Sequence, residues 1–236
     1  MKQFILIAIF SCLTIQGCLE KINKKTSNFY VINIRNFDRM LLADLIHNDN
    51  SADPKLTVLD VRFQEYHNQI SDSILASTLK RFNNLLIYTT SFSELYHNKD
   101  DNFFEGEYLN QTHSKFKNDV FFQGHTMTTS EYVNDKPVMT RYPLSLNYKD
   151  TISYHASILA AFAIDSLKTK EFIQDNDKHP FLKLDENRID QYNKIDLSYR
   201  EFQNFDWTQL KSKVVVFGYI GPTNEDKKYT LLNEND

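Results

Sequence analysis

The sequence is poor in glycine, with five glycines in 236 residues, and this scarcity excludes several kinds of site. No glycine belongs to a G-x-x-x-x-G-K-[ST] or G-x-G-x-x-G pattern, in which backbone N–H groups approach phosphates closely. A G-x-S-x-G motif, which would place a serine nucleophile, is absent as well. Gly218 and Gly221 have the spacing G-x-x-G, which by itself predicts only a turn after a strand.

Cysteine and clustered charge are also scarce. The two cysteines, Cys12 and Cys18, lie near the start of the chain, so we expect no disulfide within the folded domain. The seven histidines contain no H-E-x-x-H pair, and the sequence indicates neither a metal site nor a cofactor. The formal net charge of -4 comes without a block of Lys and Arg, which argues against nucleic-acid binding.

The longest apolar run near the start of the chain is too short to span a membrane. It extends from Phe4 to Ile15, whereas a bilayer core of roughly 30 Å requires about 20 residues. Such a run is typical of a secretory signal, and Ile15-Gln16-Gly17-Cys18 resembles a bacterial lipobox. We expect a lipoprotein-type signal peptide at residues 1–17, a lipidated Cys18, and an exported protein anchored in a membrane and facing the periplasm or the cell exterior. A plain signal peptide, or an anchor with an incidental cysteine, is the alternative.

Residues 18–27 are polar and basic and predict a tether, which leaves 28–236 as a single domain. Strand and helix patterns then alternate with short loops, which favours an α/β layered sandwich. We expect a largely parallel or mixed central sheet with helices on both faces. The first predicted elements are strands at 29–34, 56–63 and 85–90, a helix capped by Asp38 and broken by Asn48–Ser51 together with Asp53-Pro54, and a helix at about 72–81 with Ile74, Leu75 and Leu79 turned inward.

The second half of the domain is harder to divide into elements. Residues 91–135 are polar and aromatic and have no clean period. The segment 152–167 is apolar around most of its circumference and predicts one buried helix that contains His155. The remaining predictions are strands at 120–123, 137–142, 195–199 and 214–219, a loop at 169–194, and a helical turn at Asp206-Trp207.

Polar residues follow two of the predicted strands. Asn33 and Asp38 come at the end of the first strand, Asp60 ends the second, and Asp72 begins the next helix. Because ligands bind beyond the carboxyl ends of parallel strands, these side chains could form a polar pocket or bind a cation. Alternatively, Asp38 and Asp72 serve as N-caps of their helices.

The order of these features resembles the opening of the type-2 CHASE domain, the cyclase- and histidine-kinase-associated sensory extracellular domain. Asp38-Arg39 matches a "DR" pair that opens a helix in the family. Pro54 to Phe63, with Asp60 as the acid, matches a strand of the pattern "PK-apolar-Asp-x-x-Phe", and Asp72 matches a second acid that opens the next helix.

The later part of the chain resembles the same family over residues up to about 232. Thr140–Leu144 is similar to an Arg-x-x-Pro stretch, with Arg141 and Pro143 as the matching residues. The last strand is similar to a "GK-apolar-GY-x-G…D…TPL" block, although Ser212 stands for a usual glycine and Leu231 for a usual proline. The residues that match this block are Gly218, Tyr219, Gly221, Asp226 and Thr230.

The resemblance implies an extracytoplasmic sensor-type domain that binds a ligand or partner and is not an enzyme. A small molecule or a membrane signalling protein would be the partner, with the ligand near Arg39, Asp60, Asp72 and Arg141. An arginine among carboxylates can hold a carboxylate or phosphate, but the same four residues could instead form a structural ion-pair network. Family members usually continue into transmembrane helices and an output module. No further apolar run follows residue 219 here, so signalling is expected to require a partner.

Two other classes of function stay open at this point. An exported, hydrolase-like enzyme would need Asp60 and Asp72 to face each other across a cleft, with His67 or His125 nearby. A pocketless interaction protein would expose an aromatic patch from residues 91–135.

Overall fold

The structure, a computed structural model, describes residues 28–34, 38–92, 95–98, 103–106, 109–118, 121–126, 129–133, 136–149, 151–176, 181–183, 193–196 and 199–218. These residues form a mixed α/β fold, as predicted. The strands are β1 (Phe29–Asn33), β2 (Leu56–Asp60), β3 (Leu86–Phe92), β4 (Leu95–Asn98), β5 (Phe103–Gly106), β6 (Leu109–Asn110), β7 (Phe121–His125), β8 (Thr129–Val133), β9 (Lys136–Pro143), β10 (Ser145–Tyr148), β11 (Thr151–Tyr154), β12 (Phe181–Lys183), β13 (Asn193–Asp196) and β14 (Val214–Gly218). The α-helices are α1 (Arg39–Ala52), α2 (Ile70–Lys80), α3 (Ala156–Ile164), α4 (Ser166–Asp175) and α5 (Tyr199–Asn204), and short 3-10 helices span Ser114–Phe116 and Trp207–Leu210.

The central sheet has the strand order β13-β1-β14-β2-β3-β7, and every neighbouring pair in this series is parallel. The last core strand, β14, lies between the first two, β1 and β2. Strand β6 pairs antiparallel with the end of β3. Two smaller sheets accompany the central one, with the orders β11-β10-β5-β4 and β12-β9-β8.

Alternating side chains bury both faces of the central sheet, which explains why its strands are almost continuously apolar. On one face, here called the α1 face, Leu59, Val215 and Phe217 pack in one core with α1 and α2. On the opposite face, here called the α3 face, Val58 and Val216 pack with α3. The predicted layered sandwich with helices on both faces is therefore confirmed.

Helix α1 begins where the sequence predicts, because the Asp38 carboxylate accepts a hydrogen bond of 2.8 Å from the Leu41 N–H. Of the residues predicted to break it, Asn48–Ser51 lie inside the helix, and only the Asp53-Pro54 pair marks its end. The Asn48 amide donates to the Asp44 carbonyl and the Ser51 hydroxyl to the His47 carbonyl, so these polar side chains stay within the helical ladder. The helix ends instead at Asp53, whose left-handed φ of 59° breaks the repeat.

Helix α2 differs from the prediction at its first turn. Its N-cap is Gln69, and Asp72 is a buried residue inside the first turn instead of the cap. Leu75 and Leu79 are fully buried as predicted, whereas Ile74 is 36% exposed.

The predicted single helix at 152–167 is wrong at both ends. Its first residues form β11, with Ile152 exposed, and Leu167 belongs to a separate helix, α4. The predicted loop at 169–194 contains most of α4 as well as β12 and the start of β13. Among the described residues, no helix is both long enough and apolar enough to cross a membrane.

Candidate functional site

Five residues of five parallel strands form one row across the central sheet, and in β1, β14 and β2 this row is the carboxyl end of the strand. Asn33 of β1 pairs with Gly218 of β14, and Gly218 pairs with Asp60 of β2. Thr89 of β3 pairs with Gly124 of β7, and the Thr89 hydroxyl lies 3.5 Å from the Asp60 carboxylate. We call Asn33, Gly218, Asp60, Thr89 and Gly124 the strand-end row. Every member is small or polar, in contrast to the apolar residues two positions earlier in the same strands, which are Val31, Val216, Val58, Ile87 and Phe122.

Strand alternation places the strand-end row on the α3 face of the sheet. Val31, Val58 and Val216 lie two residues before Asn33, Asp60 and Gly218 and pack with α3. Since side chains two residues apart point to the same face, the polar row continues this apolar surface to the edge where ligands bind in parallel α/β folds.

Helix α3 packs against the row at Gly124. A Cβ on Gly124 would lie 2.5 Å from the Ala156 Cα and 2.8 Å from the Ala156 nitrogen, so the helix begins directly against the bare strand. At the other end of α3, the Ile164 carbonyl lies 3.5 Å from the Lys55 ammonium, next to the start of β2. The helix therefore crosses the sheet obliquely, from the carboxyl end of β7 to the amino end of β2.

The row has a different environment at Gly218. Among the described residues, a Cβ on Gly218 would contact only Asp60, at ordinary distances of 3.6 and 3.7 Å. The two polar neighbours are largely buried, with Asn33 3% exposed and Asp60 9% exposed. An amide and a carboxylate thus flank a residue without a side chain in an enclosed part of the α3 face, here called the Gly218 corner.

Two of the predicted site residues, Arg39 and Asp72, contact each other on the α1 side of the sheet. The Arg39 guanidinium forms an ion pair with the Asp72 carboxylate, which is fully buried. It also donates to the Glu65 carbonyl at 3.0 Å and lies 5.3 Å from the centre of the Phe116 ring. The His67 N–H donates to the second Asp72 oxygen at 2.5 Å.

The contacts of Asp72 determine its protonation. Burial alone would raise the pKa of its carboxyl, but the hydrogen bonds from Arg39 and His67 and their charges hold this pKa below the ordinary value of 3.8. Asp72 is therefore an ionised, hydrogen-bonded partner of Arg39 that ties α2 to α1. This geometry matches the structural alternative for these two residues, although their part in ligand binding stays a prediction.

Asp60 is on the other side of the sheet from this ion pair. The cleft between Asp60 and Asp72 that a hydrolase-like enzyme would need is therefore not formed by these two carboxylates. Arg141 lies on β9, in the sheet β12-β9-β8, and the placement of its side chain is outside the described residues. Cys18, the tether, and the matching Tyr219, Gly221, Asp226 and Thr230 also lie outside them.

Two buried histidines stand beside the Gly124 end of the row. The rings of His125 and His155 meet edge to face, with 5.0 Å between their centres. Burial lowers the pKa of His155 to about 3, and burial together with His155 lowers the pKa of His125 well below its ordinary value. His155 Nδ1 accepts from the Ser157 N–H at 3.2 Å, which makes it the N-cap of α3. Both rings are thus neutral parts of the core, as the sequence favoured for His155.

The sequence missed Thr89 and Gly124 as members of a site. The register of β3 against β7 brings them into the row, and this register is a tertiary property with no local signal. Within the described ranges, no group of three or more His, Cys, Asp and Glu residues could hold a metal ion.

A shallow groove of about 460 Å³ lies elsewhere, on the outer side of α2, and is lined by Asn68, Ile70, Ser73, Ile74, Ser77, Thr78 and Arg81.

Comparisons of the chain with models of protein families, with curated proteins and with solved structures found no match.

Proposed function

We propose that this chain is a non-catalytic, sensor-type domain that binds a small polar molecule at the Gly218 corner. One observation carries the proposal: the strand-end row places an amide and a carboxylate on either side of a glycine, at the carboxyl edge of a parallel sheet. Ligand sites in proteins are enclosed, mostly apolar spaces with a few polar groups that fix orientation. The valines below the row supply the apolar surface of such a site, and Asn33 and Asp60 supply the polar groups.

The chemistry of the corner favours a ligand with hydrogen-bond donors. The Asp60 carboxylate accepts hydrogen bonds and attracts positive charge, and the Asn33 amide both donates and accepts. A molecule with an amino group or neighbouring hydroxyl groups would match both side chains. This choice differs from the anion suggested by arginine, since Arg39 is paired with Asp72 on the other side of the sheet.

The resemblance to the type-2 CHASE domain and the lipobox-like start of the sequence belong to the same proposal. In it, Cys18 anchors the exported domain to a membrane, and ligand binding is passed to a membrane signalling protein. Labelling of the full-length chain with palmitate, with Cys18→Ser as the control, tests the anchor separately from the ligand site.

Substitution of Asp60 tests the ligand site. We would measure melting temperatures with a panel of amino acids, polyamines, monosaccharides and nucleosides. At least one compound is expected to stabilise the wild type, and Asp60→Asn is expected to weaken its binding by roughly tenfold or more. The reason is that a hydrogen bond to a charged group contributes about 1.5–3 kcal/mol. Asp44→Asn, an exposed acid on α1, is the matched control. Equal binding by Asp60→Asn and the wild type would contradict the proposed site.

A further inference from the structure

Asp49 is a carboxylic acid sealed between α1 and the central sheet. It lies near the end of α1, where Leu45, Ile46 and Ala52 pack into the core, and its exposed fraction is 0%. Its Oδ2 accepts a hydrogen bond of 2.6 Å from the hydroxyl of Thr57, which is fully buried on the α1 face of β2. This Asp49–Thr57 contact joins the helix to the second strand of the sheet.

The Asp49 carboxyl is only half satisfied. Among the residues that the structure describes, its buried Oδ1 has no hydrogen-bond partner, and the Thr57 hydroxyl is the one polar group that contacts the carboxyl. Arg39 and Asp72 pair with each other, and the Tyr88 hydroxyl donates to the Phe116 carbonyl. The other titratable or charged side chains on α1, α2, β2 and the flanks of the neighbouring 3-10 helix make no ion pair or hydrogen bond with Asp49; they are Asp44, His47, Asp53, Asp60, Lys80, Arg81, Asp206 and Lys211.

A carboxylate in this position would be a buried charge with one neutral donor. Because burial of an unpaired charge is costly, such groups take up a proton instead. Burial raises the pKa of Asp49 from 3.8 to about 7, and the Thr57 hydrogen bond lowers it only in part. The group therefore changes charge near neutral pH, in a place where the packing favours the neutral form.

We propose that the packing of Asp49 between α1 and β2 is a pH-sensitive element of the fold, stable while Asp49 is protonated and weakened when Asp49 ionises, because the single hydrogen bond from Thr57 does not compensate a buried charge. The effect of ionisation would extend to the loop that joins α2 to β3. Asn50, the next residue, accepts a hydrogen bond of 2.9 Å from the Asn83 N–H with its side-chain oxygen, and so holds the segment between α2 and β3. Ionisation of Asp49 would loosen the last turn of α1 together with this segment. The inference is independent of the proposed ligand site.

The sign of the pH dependence follows from the direction of the shift. The pKa of Asp49 in the folded state lies above its ordinary value, so the protonated form contributes stability that is complete below pH 3.8 and is lost as the pH rises to about 7. His125 and His155 act in the opposite direction, because their pKa values are lowered and their contribution is lost as the pH falls below 6.5. Only a comparison between variants separates the two effects.

Asp49→Asn keeps a neutral side chain of the same shape at every pH and is the test variant. We would measure urea unfolding of the wild type and of Asp49→Asn at several pH values. The unfolding constant of the wild type, divided by that of the variant, is expected to rise by roughly tenfold per unit between about pH 5 and pH 7 and to level off above that. The protection factors of the amides in 49–52 and 82–84, which correct for the base catalysis of exchange, should fall over the same range in the wild type alone.

Two controls keep the test decisive. Asp44→Asn, exposed on the same helix, should follow the wild type at every pH. If Asp49→Asn does not fold, the carboxyl carbon of Asp49 can be titrated in the wild type by NMR. A midpoint near 7 supports the proposal, whereas a midpoint below about 5 overturns it, as does an identical pH dependence in the wild type and the variant.

Discussion

Gly124 and Gly218 occupy the same row of the central sheet but have opposite surroundings. At Gly124, the backbone of Ala156 takes the space that a Cβ would need, at 2.5 Å. At Gly218, a Cβ would find only the side chain of Asp60 among the described residues, at 3.6 Å. Gly124 therefore permits the close approach of a helix, whereas Gly218 lies between two polar side chains, Asn33 and Asp60. The difference separates the structural end of the row from the end at which we propose a ligand.

Gly124→Ala should have the largest effect of the variants that test this comparison. The new methyl group would meet backbone atoms of α3, which cannot turn away as a side chain can. Forced overpacking of this kind costs about 1–3 kcal/mol, and we expect a loss of stability in that range by urea unfolding. A stability equal to that of the wild type would mean that α3 does not begin against β7 as described.

The carboxylates Asp72 and Asp60 lie on opposite faces of the sheet and can be compared in the same way. Asp72 has a structural role, whereas Asp60 belongs to the proposed ligand site. Asp72 is tied to Arg39 and the His67 N–H, so Asp72→Asn should lower the melting temperature by several degrees at neutral pH. Because the pKa of Asp72 is lowered, its contribution to stability is present above pH 3.8 and is lost as the pH falls below that value. The gap between wild type and Asp72→Asn should therefore narrow in acid. A gap that stays constant with pH would count against an ionised Asp72.

Gly218→Ala should have the smallest effect on stability. No glycine with a positive φ occurs among the described residues, so alanine fits the extended backbone at this position, and its methyl group makes only ordinary contacts. Since glycine inside a strand costs roughly 0.5–1 kcal/mol relative to alanine, the variant should be as stable as the wild type or slightly more stable. A large loss of stability would show that the Gly218 corner is packed as tightly as the Gly124 end.

The sequence predicted the parallel core because its signals there are local. Continuous β-branched and aromatic runs identify β1, β2, β3 and β14, and the Asp38 cap locates the start of α1. The predictions were wrong where tertiary contacts determine the bounds of the helices and strands. Asn48 and Ser51 have the composition of a turn but bond back to helical carbonyls. The apolar segment at 152–167 is divided between a strand and two helices by its packing against different partners.

The candidate site was predictable in part for the same reason. Asp60 and Asn33 could be placed at strand ends from the sequence, because strand ends coincide with a change from apolar to polar residues. The insertion of β14 between β1 and β2 could not be predicted, because it joins segments more than 150 residues apart. That insertion puts Gly218 between Asn33 and Asp60. The pairing of Asp72 with Arg39 likewise depends on how α2 packs against α1.

The most direct test of the central claim compares the affinity of Gly218→Ala and wild type for a compound that stabilises the wild type. Saturation-transfer NMR with the panel of amino acids, polyamines, monosaccharides and nucleosides would identify the compound and measure its binding. We predict that Gly218→Ala folds normally and loses this binding, whereas Arg81→Ala, in the groove on α2, retains it. Unchanged binding by Gly218→Ala would contradict a ligand site at the Gly218 corner.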